Sequence, residues 1–168
     1  HLSIRRQRQM CIRDSYKGAR LTEEGLKQTL DIIKRHRLLE LFLIEILQYN
    51  WEEVHQEAEI LEHRISDLFV ERLDKILNFP KTCPHGGVIP RGDQYKEIFT
   101  TSILNFEPGE CVTVRRVRDK TELLVYLSSK DIYIGNTVEV VSKDDTNKVI
   151  ILKTVSYTHL TLPTNREV

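Results

Sequence analysis

The chain is poor in the features that define several protein classes. Its 168 residues include only three cysteines, Cys11, Cys83 and Cys111, and no C-x-x-C pair. An odd, unpaired set argues against a disulfide framework and fits a reducing cytosol, so a cytoplasmic location is expected. No apolar run reaches the roughly 18 residues of a membrane span. The best candidate, LLELFLIEIL, is broken by two glutamates. The N-terminus lacks the apolar core of a signal peptide. Lys plus Arg and Asp plus Glu both number 25, a formal net charge of zero, which gives no global pull toward nucleic acid or a membrane. No phosphate loop, nucleotide fingerprint, Ser/His/Asp arrangement or internal repeat is present. With 40% hydrophobic residues, the chain can form one ordinary domain or two small ones.

What the chain does have is a concentration of imidazoles and carboxylates between Arg35 and Asp67. This stretch contains no glycine or proline, and its apolar residues recur every three to four positions, the pattern of a helix–turn–helix hairpin. Asn50 is placed to cap the second helix, with Glu53 at the capping-box position. At about 100° per residue, His55, Glu59, Glu62 and His63 share one sector of that helix. Val54, Ala58, Leu61, Ile65 and Leu68 occupy another, suited to packing. His36 and Glu40 are i,i+4 neighbours on the preceding helix. Any one of these side chains would be ordinary on a solvated face. Three histidines and three glutamates on helices that can pack together form a dense charged patch, which a divalent cation would relieve. The six donors are nitrogen and oxygen only, which suits Mn(II), Fe(II), Co(II) or Zn(II). They exceed the needs of one tetrahedral site, so two neighbouring ions are expected.

Around this hairpin, Thr22 reads as an N-cap, followed by a long helix to about Leu47. A second helical region runs from Trp51 to about Leu77, with a break near Ser66. The proline- and glycine-rich segment PKTCPHGGVIPRGD is a loop or linker. From Gly109 the pattern is β: CVTVRRV, TVEVVS and KVIILK are short β-branched runs, with a short helix expected over Leu123–Ser129. Three strands do not close a barrel alone, so this second unit reads as incomplete. Cys83-Pro84-His85-Gly86 reads as a tight loop with a free thiol; it lacks the orienting acid a Cys–His catalytic pair needs. Arg115, Arg116 and Arg118 read as a solvated basic patch.

The ordered motifs YKGARLTEEG, RHRLLE, EEVHQEAEILEH and CPHG resemble the metal-dependent repressors of the diphtheria toxin repressor and manganese transport regulator family, over about Tyr16 to Lys153. The resemblance implies a helical metal-binding and dimerisation domain followed by an incomplete FeoA-like, Src-homology-3-like β-barrel. It assigns 16–21 to the last part of a winged-helix wing, 22–79 to the helical domain, 80–102 to a linker and 103–153 to the partial β domain. The terminal segments 1–15 and 154–168 resemble translated sequencing-adapter readthrough and read as non-native tails. By motif, Glu59, Glu62 and His63 match a regulatory metal site; His36, Glu40 and His55 match a second, ancillary site. The first helix of the DNA-binding domain, which supplies a further regulatory ligand in the family, is not expected in this chain. The ancillary site is expected to be short of ligands, because the nearest β-domain positions, around Arg115 and Arg118, are basic.

The implied function is a homodimeric, DNA-binding transcriptional repressor that senses a divalent metal. Mn(II) is favoured because Glu59 stands where iron-type relatives carry cysteine, with Fe(II) as a second candidate. Operator DNA would be contacted by the full-length protein and hardly at all by this fragment. The alternative is an enzyme, a helical-bundle hydrolase or oxidase with a di-metal carboxylate/histidine centre. Glu59-x-x-Glu62-His63 approaches that grammar, but a second Glu-x-x-His motif is missing.

Overall fold

A computed structural model describes residues 12–15, 18–92, 95–144, 146 and 149–155. Cys11 and most of both expected tails lie outside these residues. Strands β1 (Ile12–Ser15) and β2 (Gly18–Leu21) form an antiparallel hairpin with Ser15 opposite Gly18. The YKGARL strand thus has a partner inside the segment read as a tail.

Helix α1 (Glu23–Glu45) starts where the sequence places it. The Thr22 hydroxyl accepts from the Gly25 amide at 3.0 Å, and Glu23 and Glu24 lie at the positive end of the helix dipole. The helix ends at Glu45, and Gln48 takes a left-handed conformation (φ 59°) as the chain reverses. Helix α2 (Val54–Glu62) begins later than expected. Asn50 does not cap it: the Asn50 side-chain amide donates to Glu53 Oε2 at 3.2 Å, closing a turn over Trp51–Glu53 instead. Helix α3 (Asp67–Ile76) follows the expected break, with the Ser66 hydroxyl accepting from the Phe69 amide.

The three helices enclose one apolar core. Leu38, Leu39, Leu41 and Leu43 of α1 meet Val54 and Ala58 of α2, Val70 and Leu73 of α3, and Ile89 from the following loop. Leu61 and Ile65 pack at its edge, as the periodicity predicts. Leu68 does not: it lies on the outward face of α3 and is 61% exposed, with Phe69 and Ile76 exposed nearby. The break at Ser66 rotates α3 away from the helical phase that α2 would have continued.

The C-terminal part is a three-stranded antiparallel sheet in the order β3-β4-β5, from Cys111–Thr113, Thr137–Asp144 and Val149–Thr154. Helix α4 (Thr121–Ser128) lies between β3 and β4 in sequence and buries Leu124. Ile132, Val138 and Val140 are also buried. Among the described residues, no helix is long and apolar enough to cross a membrane.

The two parts meet at the loop Lys81–Ile89. Gly86 has φ 82°, and a Cβ there would lie 2.0 Å from the Arg115 carbonyl oxygen. Only glycine permits this approach. One residue earlier, the His85 carbonyl accepts from the Val117 amide at 3.0 Å. The loop backbone is thereby docked on the segment that follows β3.

Candidate metal centre

Helix α1 places His36 and Glu40 one turn apart, and α2 brings His55 across to them. His36 Nε2 lies 3.2 Å from Glu40 Oε1 and 3.1 Å from His55 Nδ1. Glu40 is fully buried. A lone buried carboxylate is costly, and this one is surrounded by imidazoles: His85 Nδ1 is 3.2 Å away and His55 Nδ1 is 3.8 Å away. Asp119 completes the group, with Oδ2 2.9 Å from His55 Nδ1 and 3.7 Å from His85 Nδ1. His36, Glu40, His55 and Asp119 can bring one donor atom each within 4.8 Å of one another, and so can Glu40, Cys83 and His85.

Two expectations are corrected here. The β domain does offer a carboxylate to this site, because Asp119 turns inward beside the basic Arg115, Arg116 and Arg118. The CPHG segment is more than a tight loop with a free thiol. It is a tight turn, with Cys83 N donating to the Gly87 carbonyl at 2.8 Å, and it delivers a buried imidazole and a buried thiol to Glu40. The nearby donor set is therefore not nitrogen and oxygen alone.

The other three expected residues are arranged more loosely. Glu62 accepts from His36 Nδ1 at 2.7 Å and lies 3.1 Å from His63 Nε2. Glu59 lines the same cleft as Glu62 and His36. His63 falls just past the end of α2, and its side chain is 61% exposed. These three are not drawn into the inner cluster; His36 stands between the two sets.

The electrostatics favour a cation. Burial would raise the Glu40 pKa, but the imidazoles of His36, His55 and His85 around it outweigh that and hold the carboxyl well below its usual range. Burial opposes charge on His36, yet Asp119, Glu40 and Glu62 push its pKa up to about 10. For His85, burial is again overcome, by Cys83 and then Glu40 and Asp119, and the pKa reaches about 11. His55 is raised chiefly by Glu40.

Among the described residues, three buried side-chain atoms nevertheless lack hydrogen-bond partners: Glu40 Oε2, His85 Nδ1 and Asp119 Oδ1. His85 Nδ1 is close to Glu40 but badly aimed for a hydrogen bond. Its other nitrogen, Nε2, donates to the Trp51 carbonyl at 3.0 Å. That bond leaves Nδ1 facing the carboxylates, as in a metal-ligating histidine whose far nitrogen is held by a carbonyl. The donors present fit a divalent first-row ion.

A helical domain and a small β domain with such a donor set between them have the make-up of a metal-binding protein. The comparisons agree. Residues 22–91 match the iron dependent repressor, metal binding and dimerisation domain, and residues 101–165 match the FeoA domain. The solved structure of the manganese regulator SloR is 34% identical, with a TM-score of 0.78 over 91% of this chain and 72% of that one. A manganese-dependent transcriptional repressor complexed with manganese is also 34% identical, with a TM-score of 0.81 over 92% and 73%. The iron-dependent repressor IdeR of Mycobacterium tuberculosis is 43% identical over 70 residues, 42% of this chain and 30% of that protein. The chain belongs to the family of metal-dependent transcriptional repressors that includes these proteins. It spans only 30% of the length of the mycobacterial repressors it matches. The relatives named above are a manganese regulator and metal-dependent repressors, and they lend no support to the helical-bundle enzyme.

Proposed function

We propose that this chain is the regulatory part of a divalent-metal-sensing, DNA-binding repressor, with the helical domain over 22–79, a linker over 80–102 and a partial FeoA-like domain over 103–153. The observation that carries this reading is the convergence of Glu40, His85 and Asp119 from three separate segments, each with a buried side-chain atom that lacks a hydrogen-bond partner. A bound ion would supply positive charge where protons on the histidines now balance the carboxylates. His36, Glu40, His55, His85 and Asp119 would hold it, with Cys83 adjoining the Glu40/His85 end. Glu59, Glu62 and His63 would form a second set, open toward the cleft.

Mn(II) is the favoured ion and Fe(II) the second activator. Glu59 is a hard oxygen donor, and Mn(II) has little preference for sulfur. The relatives matching over about nine-tenths of the chain include proteins named for manganese, whereas the mycobacterial relatives are named for iron. Sulfur-seeking ions would be drawn to the Cys83 end rather than to the Glu59 set. The protein would act in the cytoplasm as a homodimer, using the exposed α3 face around Leu68, Phe69 and Ile76, and two recognition helices would read one palindromic operator.

The test is operator binding by the full-length protein, titrated anaerobically with each metal. Activation by Mn(II), with Glu59→Cys shifting the response toward Fe(II), Co(II) or Zn(II), is expected. Activation by Zn(II) alone, unchanged by Glu59→Cys, would remove the manganese assignment.

A further inference from the structure

Outside the donor cluster, one carboxylate gathers an unusual set of partners. Glu97 Oε1 accepts from Arg37 Nη2 at 2.8 Å, from the Tyr95 hydroxyl, and pairs with Arg116 Nη2 at 3.2 Å. Its Oε2 accepts from the Val88 amide at 3.2 Å. Arg37 in turn donates to the Val88 carbonyl and to the Tyr95 hydroxyl. Its guanidinium lies flat against Gly87, where a Cβ would come within 2.7 Å of Cζ.

Besides Tyr95, the partners of Glu97 lie within three residues of cluster donors. Arg37 follows His36 on α1. Val88 is three residues beyond His85. Arg116 is three residues before Asp119. The hydrogen bonds and ion pairs of Glu97, Arg37 and Arg116 go to one another, Val88 and Tyr95 rather than to the donors.

We propose that Glu97 is a positioning residue for the metal centre: it locks together the three segments that deliver His36 and Glu40, Cys83 and His85, and Asp119. This rests on the reading of those residues as metal ligands. Side chains that orient a metal site without touching the ion commonly change affinity by about 10–100-fold when replaced. Loss of the Glu97 charge also leaves the guanidinium groups of Arg37 and Arg116 without the anion between them, so the two segments they belong to repel rather than clamp.

The experiment titrates the purified 168-residue chain with Co(II), whose ligand-field absorption reports coordination geometry. Glu97→Gln should weaken Co(II) binding by about 10–100-fold and alter the absorption bands. Arg116→Gln, at a partly exposed position, should do the same to a smaller extent. Asp74→Asn is the control. Asp74 of α3 pairs with Lys34 of α1 and with Arg91 and with none of the donors, so its loss should lower the melting temperature without changing the Co(II) affinity or spectrum. If Glu97→Gln folds and binds Co(II) with the parent affinity and spectrum, the inference is overturned. If it fails to fold, Arg116→Gln decides: an unchanged affinity and spectrum overturns the inference as well. Should His85→Ala and Asp119→Ala bind Co(II) as the parent does, the ligand assignment itself fails, whatever Glu97 does.

Discussion

Loading the donor cluster with a divalent cation should expel about two protons per ion near neutral pH. The count follows from individual atoms. His85 keeps its Nε2 proton on the Trp51 carbonyl, so it can ligate only through Nδ1. His36 keeps its Nδ1 proton on Glu62, so Nε2 is its available corner. With pKa values of about 11 and about 10, both corners are protonated at neutral pH, and an ion must displace both protons. Apparent affinity should then rise about 100-fold per pH unit from about pH 6.5 to about 8.5. The metal-free protein should respond in the opposite sense. Its raised imidazole pKa values contribute stability that is complete below about 6.5, the free value, and is lost as pH rises toward about 10. Calorimetric titration in two buffers of different ionisation heat counts the protons directly, and thermal melts with and without metal follow the two trends. Release of less than about half a proton per ion, or a metal-free melting temperature flat across this range, would refute the reasoning.

Other outcomes follow from the same geometry. Asp119→Ala should lower affinity at the inner cluster by at least about 10-fold while leaving a Glu59/Glu62/His63 ion in place, read as loss of one of two binding events in the titration. Gly86→Ala should cost more than about 2 kcal/mol in chemical denaturation, because the new methyl meets the Arg115 carbonyl and the backbone is held at positive φ. Leu68→Asp or Phe69→Asp should weaken self-association in analytical ultracentrifugation, since an unpaired carboxylate would be buried in the proposed interface. A dimer of undiminished stability in both variants would place the interface elsewhere.

Much of this architecture is legible in local pattern. Thr22 and its two glutamates mark the start of α1, Ser66 marks the break before α3, and β-branched runs mark β3, β4 and β5. His36, Glu40 and His55 are legible as a group because helical periodicity places them on faces that must pack. The remainder depends on contacts that no local rule encodes. Asp119 sits in a basic stretch, and nothing in its neighbours signals that it turns inward. His85 carries no periodicity, and its role depends on Gly86 permitting a close approach to a strand end thirty residues away. Asn50 fits the capping pattern, but its side chain donates to Glu53 and delays the helix instead. Leu68 fits the α2 phase, but the Ser66 break resets that phase.

The convergence of Glu40 and Asp119 has a consequence for the unfolded chain. Their separation in sequence means that an ion binding both closes a loop of roughly 80 residues. A covalent cross-link of that span would remove chain entropy from the unfolded state worth about 4–5 kcal/mol. A bound cation would therefore act as a removable staple. It would tether the β module to the helices and suppress excursions of the intervening 95–105 segment. Proteolytic nicking there should slow when metal is added and resume when a chelator takes it away.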